Sequence, residues 1–177
     1  MLAFKATPIE GCYEIFPKVH GDSRGFFVET YSDREYEKLL GTKFVQDNMS
    51  KSTRNVLRGL HFQEGEFAQA KLVRCVKGHV YDVAVDLRKD STSYGQWYGV
   101  HLRDDKCNQF FIPRGCAHGF VVLSDEALFE YKCDNDYAPD HEGGINPFDE
   151  KLDIEWIIDR DEAIMSEKDL NRKPYEW

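Results

Sequence analysis

No two of the five cysteines stand at Cys-x-x-Cys spacing, and their number is odd. Cys12, Cys75, Cys107, Cys116 and Cys133 therefore outline neither a disulfide framework nor a zinc ribbon, and a reducing compartment suits them better. Each lies in or beside an apolar run, where a cysteine behaves as a small core hydrophobe. A basic excess is also missing. The formal charge is -9, so no long-range positive field draws in nucleic acid or a membrane surface, although a local basic pocket for one phosphorylated ligand is compatible with it. No apolar run approaches membrane-spanning length, and no signal-like stretch follows Met1-Leu2-Ala3-Phe4-Lys5. A soluble, cytoplasmic protein with no membrane partner is the expectation. Internal repeats and low-complexity linkers are absent too.

What is present is a folded composition: 41% hydrophobic and 14% aromatic residues in a chain of 177, enough to bury a substantial core. Short segments alternate in polarity at the strand period. Across 80–87, Tyr81, Val83, Val85 and Leu87 share one face, and Asp82, Ala84 and Asp86 the other. Across 127–133, Ala127, Phe129, Tyr131 and Cys133 oppose Leu128, Glu130 and Lys132. Similar runs occupy about 12–16, 26–31, 56–63, 69–77, 97–103, 108–113 and 119–123. Strands this close, without intervening helices, predict an all-β sandwich or barrel.

Two helical pieces stand out. Ser32-Asp33-Arg34-Glu35 has the capping-box pattern, predicting a helix that ends near Leu40 with Gly41 as its stop. Ser166 to Asp169 repeats the pattern before a short C-terminal turn. The whole reads as a single domain over 1–177, with a β body at about 12–135 and a C-terminal appendage at about 136–177.

Polar residues on inward strand faces carry the chemistry. Lys71 shares a face with Val73 and Cys75; a buried ammonium either snorkels to an edge or meets a ligand. Tyr131 shares its face with Ala127 and Phe129, where its hydroxyl needs a partner. His61, in Arg58-Gly59-Leu60-His61-Phe62-Gln63, fits ordinary core packing as well as catalysis. His118 reads as part of a turn between Gly115 and Gly119, a better place for function. A metal site of the two-histidine, one-carboxylate kind calls for an H-x-H pair, yet position 63 is Gln63, and His79, His101 and His141 are scattered. Arg24, in Asp22-Ser23-Arg24-Gly25, opens a strand or grips a phosphate, and Glu29 is solvated or at a site. Gln46-Asp47-Asn48 reads as turn chemistry or a polar rim. Tyr137, before Ala138-Pro139, packs locally or stacks on a base.

In order along the chain stand Arg24-Gly25, Phe44-Val45-Gln46-Asp47-Asn48, Leu57-Arg58-Gly59-Leu60-His61-Phe62-Gln63, Gln69-Ala70-Lys71-Leu72-Val73, Asp82-Val83-Ala84-Val85-Asp86-Leu87-Arg88, Ala117-His118-Gly119-Phe120 and Tyr131-Lys132. This set resembles the dTDP-4-dehydrorhamnose 3,5-epimerase family from roughly Cys12 to Asp169. The resemblance implies a cupin-type jelly roll with short peripheral helices and a homodimer. It also implies no metal or organic cofactor. The implied activity is inversion of C3 and C5 of dTDP-4-dehydro-6-deoxy-D-glucose in dTDP-L-rhamnose synthesis. By motif, His61 matches the general base, Tyr131 the proton donor on the opposite face, Lys71 the cation beside the enolate oxygen, and Asp169 the carboxylate supporting the histidine. Arg24, Glu29, Gln46, Asp47, Asn48, Arg58, His118, Glu142 and Lys168 match substrate contacts, and Tyr137 matches the aromatic that stacks on thymine.

The chemistry suits those roles, because a ketone acidifies hydrogens on both neighbouring carbons without a redox cofactor. An imidazole with an ordinary pKa near ~6.5 is a usable base at neutral pH. Two features pull the other way. Regular alternation puts Arg58 and His61 on opposite faces, unless Gly59 marks a bulge or Arg58 serves a neighbouring subunit. Asn146-Pro147-Phe148-Asp149 departs from the tryptophan and Asn-Asp that many family members carry there, on what reads as a substrate-side loop. Rival readings are a C3-only epimerase of a related keto-sugar nucleotide, a metal-dependent cupin oxygenase and a non-catalytic binding module.

Overall fold

A computed structural model describes residues 2–176. Thirteen strands and two α-helices are described: β1 Ala3–Ala6, β2 Tyr13–Phe16, β3 Val19–Asp22, β4 Gly25–Val28, α1 Asp33–Leu40, β5 Gln46–Thr53, β6 Leu57–Gln63, β7 Lys71–Lys77, β8 His79–Asp86, β9 Trp97–Arg103, β10 Gln109–Ile112, β11 Cys116–Val122, β12 Glu126–Cys133, β13 Glu142–Gly144 and α2 Glu167–Leu170. One sheet runs β1-β2-β10-β7-β12-β5 and the other β13-β6-β11-β8-β9, while β3 and β4 form a separate hairpin. Every strand pairing is antiparallel.

The two sheets face each other because their alternating apolar residues need a common interior. Val73, Cys75, Phe110, Ala127 and Phe129 from the first meet Val80, Ala84, Leu102, Phe120 and Val122 from the second in one core. This is the expected sandwich. The opposite face of β8 is buried as well. There Tyr81, Val83 and Val85 pack with Val121 against Ile145, Leu152 and Trp156 of the C-terminal segment. The acidic face of β8, with Asp82, is therefore the one turned to the interior.

Four expectations change. The Ser32 hydroxyl makes no capping bond: the Glu35 amide donates to the Ser32 backbone carbonyl instead, at 3.1 Å. At the other end Gly41 stops α1 in the left-handed region, as predicted. Residues 46–53, read in part as turn chemistry, are a full strand of eight residues. Third, His118 lies inside β11 and is buried, not in a turn. Fourth, the Pro147-Phe148 segment belongs to the second core, with Trp156 Nε1 donating to the Pro147 carbonyl at 2.8 Å. It does not line the cavity that holds His61 and Tyr131.

Candidate active site

Between the sheets at one end lies a cavity of about 290 Å³, lined by Gln46, Asn48, His61, Gln63, Gln69, Lys71, Tyr131, Tyr137 and Glu142, with Phe62 and Cys133. Strand period explains much of this wall. Gln46 and Asn48 turn inward from β5, while Asp47 between them faces outward and takes a 2.7 Å bond from Lys132. Lys71 and Tyr131 project from adjacent strands of one sheet, the ammonium 5.9 Å from the ring centroid. His61 comes from β6 of the facing sheet. Base and acid candidates therefore stand on opposite walls.

A bulge makes the His61 wall. On β11, His118 opposes His61 and Phe120 opposes Arg58, so three steps on β6 match two on its partner. An added residue of this kind breaks the alternation. Gly59 sits in it at φ +133, where a Cβ would lie 2.5 Å from Gly119 Cα, so only glycine fits. Arg58 then turns to the same side as His61 and donates to Ser52 Oγ on the facing sheet at 3.0 Å. The conflict between Arg58 and His61 is resolved within one chain.

His61 Nε2 meets Asp169 Oδ1 at 2.6 Å, across 108 positions of sequence. The His61 side chain is 34% exposed and that of Asp169 only 5%. Burial alone raises the Asp169 pKa, but bonds from His61, Ser166 and the Gly59 backbone outweigh it and hold the carboxyl below its ordinary value. Ser166 also caps α2, accepting from the Asp169 amide at 3.1 Å. The second pattern read as a cap is therefore formed, and it places Asp169.

Beneath the pocket His118 Nε2 meets Asp82 Oδ2 at 2.8 Å, both nearly inaccessible. Burial pushes the Asp82 pKa up, against the pull of His118 and Lys71, and pushes that of His118 down. Lys71 is likewise pushed down by burial, opposed by the nearby acidic groups Asp82 and Glu142. Burial raises Tyr131, which the nearby Arg58 partly offsets.

The mouth is an ionic knot. Glu142 receives Lys168 at 2.5 Å and Arg172 at 3.0 Å on one oxygen, and the Tyr137 hydroxyl at 2.8 Å on the other. Burial favours a neutral Glu142, but the bonds from Lys168 and Tyr137 keep its pKa below the ordinary value.

Of the residues singled out in sequence, the pocket wall thus holds Gln46, Asn48, His61, Lys71, Tyr131, Tyr137 and Glu142. Asp169 backs His61, Arg58 flanks it, Lys168 ties to Glu142, and His118 lies below. Arg24 and Glu29 are not brought in. Arg24 folds onto Asp22 at the tip of the exposed β3–β4 hairpin, and Glu29 follows that hairpin. Sequence reasoning missed Gln63 and Gln69. Gln63 was legible, because it stands two residues after His61 on a strand and so shares its face. Among the described residues, no group of three or more His, Cys, Asp or Glu side chains is arranged to hold a metal ion. Nor is any described helix long and apolar enough to cross a membrane.

A family model described as dTDP-4-dehydrorhamnose 3,5-epimerase matches residues 6–176. The chain belongs to that family. A dTDP-4-dehydrorhamnose 3,5-epimerase of Salmonella typhimurium is 54% identical over 88% of this chain and 86% of its own. The crystal structure of the Elizabethkingia anophelis dTDP-4-dehydrorhamnose 3,5-epimerase superposes with a TM-score of 0.94 at 49% identity, covering 98% of this chain and 96% of that one. A Legionella pneumophila dTDP-6-deoxy-D-glucose-3,5-epimerase, solved with dTDP-4-keto-L-rhamnose, gives 0.93 at 45% identity, covering 98% and 93%. The two-sheet sandwich is the cupin-type fold of these epimerases. As a dTDP-4-dehydrorhamnose 3,5-epimerase family member, the chain presents a histidine backed by Asp169 and a tyrosine to one shared cavity.

Proposed function

We propose that this cavity is the active site of an isomerase that converts dTDP-4-dehydro-6-deoxy-D-glucose to dTDP-4-dehydro-L-rhamnose, inverting C3 and C5 in dTDP-L-rhamnose biosynthesis. One observation carries the reading: His61, backed by Asp169, faces Tyr131 across the cavity, with Lys71 beside the tyrosine. Inversion needs a base on one face of a carbon and an acid on the other, and this wall-to-wall arrangement supplies both.

Because His61 Nε2 is engaged by Asp169, Nδ1 is the ring nitrogen left to take the proton from carbon. The electron pair moves onto the ketone oxygen. Asp169 stabilises the resulting imidazolium, and the Lys71 ammonium stabilises the enolate oxygen, a charge absent from the ground state. Tyr131 then donates its phenolic proton to the opposite face of the carbon and is reprotonated from solvent. The same cycle at the carbon on the other side of the ketone gives the second inversion.

Tyr137, with its ring exposed at the mouth, fits stacking on the thymine, and Gln46 and Asn48 fit its polar edge. Arg58 and Lys168 supply positive charge for the diphosphate in an otherwise acidic chain. A homodimer is part of this proposal. The β3–β4 hairpin leaves Phe26 66% and Phe27 69% exposed, an apolar surface that a second copy covers. It carries Arg24, with Glu29 just beyond, so a second chain's pocket is where those two residues would serve. The chain also fits a one-domain cytoplasmic enzyme.

Incubation with dTDP-4-dehydro-6-deoxy-D-glucose in heavy water, read by NMR, tests the reaction. Deuterium at C3 and C5 is expected; incorporation at C3 alone overturns the double inversion. Tyr131→Phe is expected to lower product formation by about 10²-fold while sparing exchange at carbon.

A further inference from the structure

Residues 135–138 carry Tyr137 over the mouth of the cavity, and glutamine side chains hold their backbone. Gln69 Nε2 donates to the Asn135 carbonyl at 2.7 Å, and Gln63 Nε2 to that of Asp136 at 3.1 Å. Gln46 Oε1 accepts from the Tyr137 amide at 3.1 Å, and Gln63 Oε1 from the Ala138 amide at 2.8 Å. The second Nε2 hydrogen of Gln63 goes to the Phe67 carbonyl at 2.7 Å, in the neighbouring turn. One buried side chain on the strand of the candidate base thus staples two loops together.

We propose that Gln63 is a positioning residue that sets the grip on the nucleotide end of the substrate by fixing the Tyr137 loop. This rests on the reading of Tyr137 as the ring that stacks on the base. Both Gln63 donors are spent on backbone carbonyls, so the amide has no N–H left to offer a ligand. Its orientation is dictated: exchanging oxygen and nitrogen would set an oxygen against two carbonyls. The ring it controls is pinned at both ends, through the Tyr137 amide by Gln46 and through its hydroxyl by Glu142, yet is 56% exposed. A ring held rigid with an open face is preorganised for stacking, which lowers the ordering cost of binding.

The test measures dTDP affinity by calorimetry together with kcat and KM in the full-length protein. Gln63→Met leaves two carbonyls and an amide unpaired, and is expected to raise both KM and the Kd for dTDP about tenfold, with kcat changed by less than about threefold. Gln63→Glu, isosteric but turning a carboxylate toward two carbonyl oxygens, is expected to weaken binding further. Gln69→Met releases only Asn135, and is expected to shift Kd by about threefold in the same direction; it carries the test if Gln63→Met does not fold. A dTDP Kd within about twofold of wild type, or kcat falling in step with the rise in KM, overturns the inference. Tyr137→Ala separates the two layers. If it leaves dTDP binding unchanged, the stacking role itself fails; if it weakens binding while Gln63→Met does not, only the role of Gln63 fails.

Discussion

Two histidines that are direct cross-strand partners on β6 and β11 each meet an aspartate, His61 with Asp169 of α2 and His118 with Asp82 of β8. Their separations, 2.6 and 2.8 Å, hardly differ. Their surroundings do. Asp169 is bonded by Ser166 and the Gly59 backbone as well as by His61, so it is held ionised. Asp82 has an oxygen with no hydrogen-bond partner among the described residues, and burial drives it toward the neutral form. His61 opens to the cavity, whereas His118 stacks on Phe129 with ring centroids 6.0 Å apart. Pairing with a carboxylate does not by itself make a histidine a base. Access to the cavity and a fully satisfied carboxylate are what set His61 apart from His118.

The sharpest way to break this contrast is to remove each ring. His61→Asn is expected to lower kcat/KM by about 10²- to 10⁴-fold and to abolish deuterium exchange, with little change in the thermal midpoint. His118→Leu leaves the buried Asp82 carboxyl without its hydrogen-bond partner and is expected to cost about 1–3 kcal/mol in urea denaturation. Equal stability losses in the two variants would erase the distinction. Next in size is Asp169→Asn, which leaves an amide unable to stabilise the imidazolium; kcat/KM is expected to drop by about 10²-fold. Asp82→Asn is expected to lower it much less.

Proton linkage sharpens the comparison from another side. Asp169, with its folded pKa depressed, contributes stability that is present above its unfolded value near ~3.9 and is lost as pH falls through the folded value. Asp82, with its folded pKa raised, does the reverse: its contribution is full below about pH 4 and is lost as pH rises through the folded value. Urea midpoints from pH 3 to 8 should therefore flatten on the acid side in Asp169→Asn and above about pH 4 in Asp82→Asn. The smallest effect is expected for Ser166→Ala, about 1 kcal/mol from the lost cap, with a modest fall in kcat as Asp169 loosens. An unchanged pH–rate profile in that variant would mean that Ser166 does not help place Asp169.

Strands with one apolar face announced themselves. The alternation over 127–133 puts Ala127, Phe129, Tyr131 and Cys133 on one inward face, as read, and the last two reach the cavity. β5 did not, because seven of its eight residues are polar; it lies at the sheet edge and, among the described strands, pairs with β12 alone. His118 was misplaced because flanking glycines resemble a turn. Those glycines serve close backbone approach instead: a Cβ on Gly119 would lie 2.7 Å from the Arg58 carbonyl. The three residues of β13 were too few to register as a period.

Residue types, the strand period, the missing metal-ligand pattern and the ordered motifs were all readable along the chain. Together they determined the fold class and, through the family resemblance, the kind of proton chemistry, since periodicity and residue type are local properties. Which histidine opens to the cavity, which aspartate stays ionised and how Arg58 comes to the His61 side were decided only in three dimensions. Desolvation, access and charge separation depend on groups as distant in sequence as His61 and Asp169, and on one bulge at Gly59 that no period announces. For His61 and His118, the same residue type in equally apolar sequence, the surroundings made the difference.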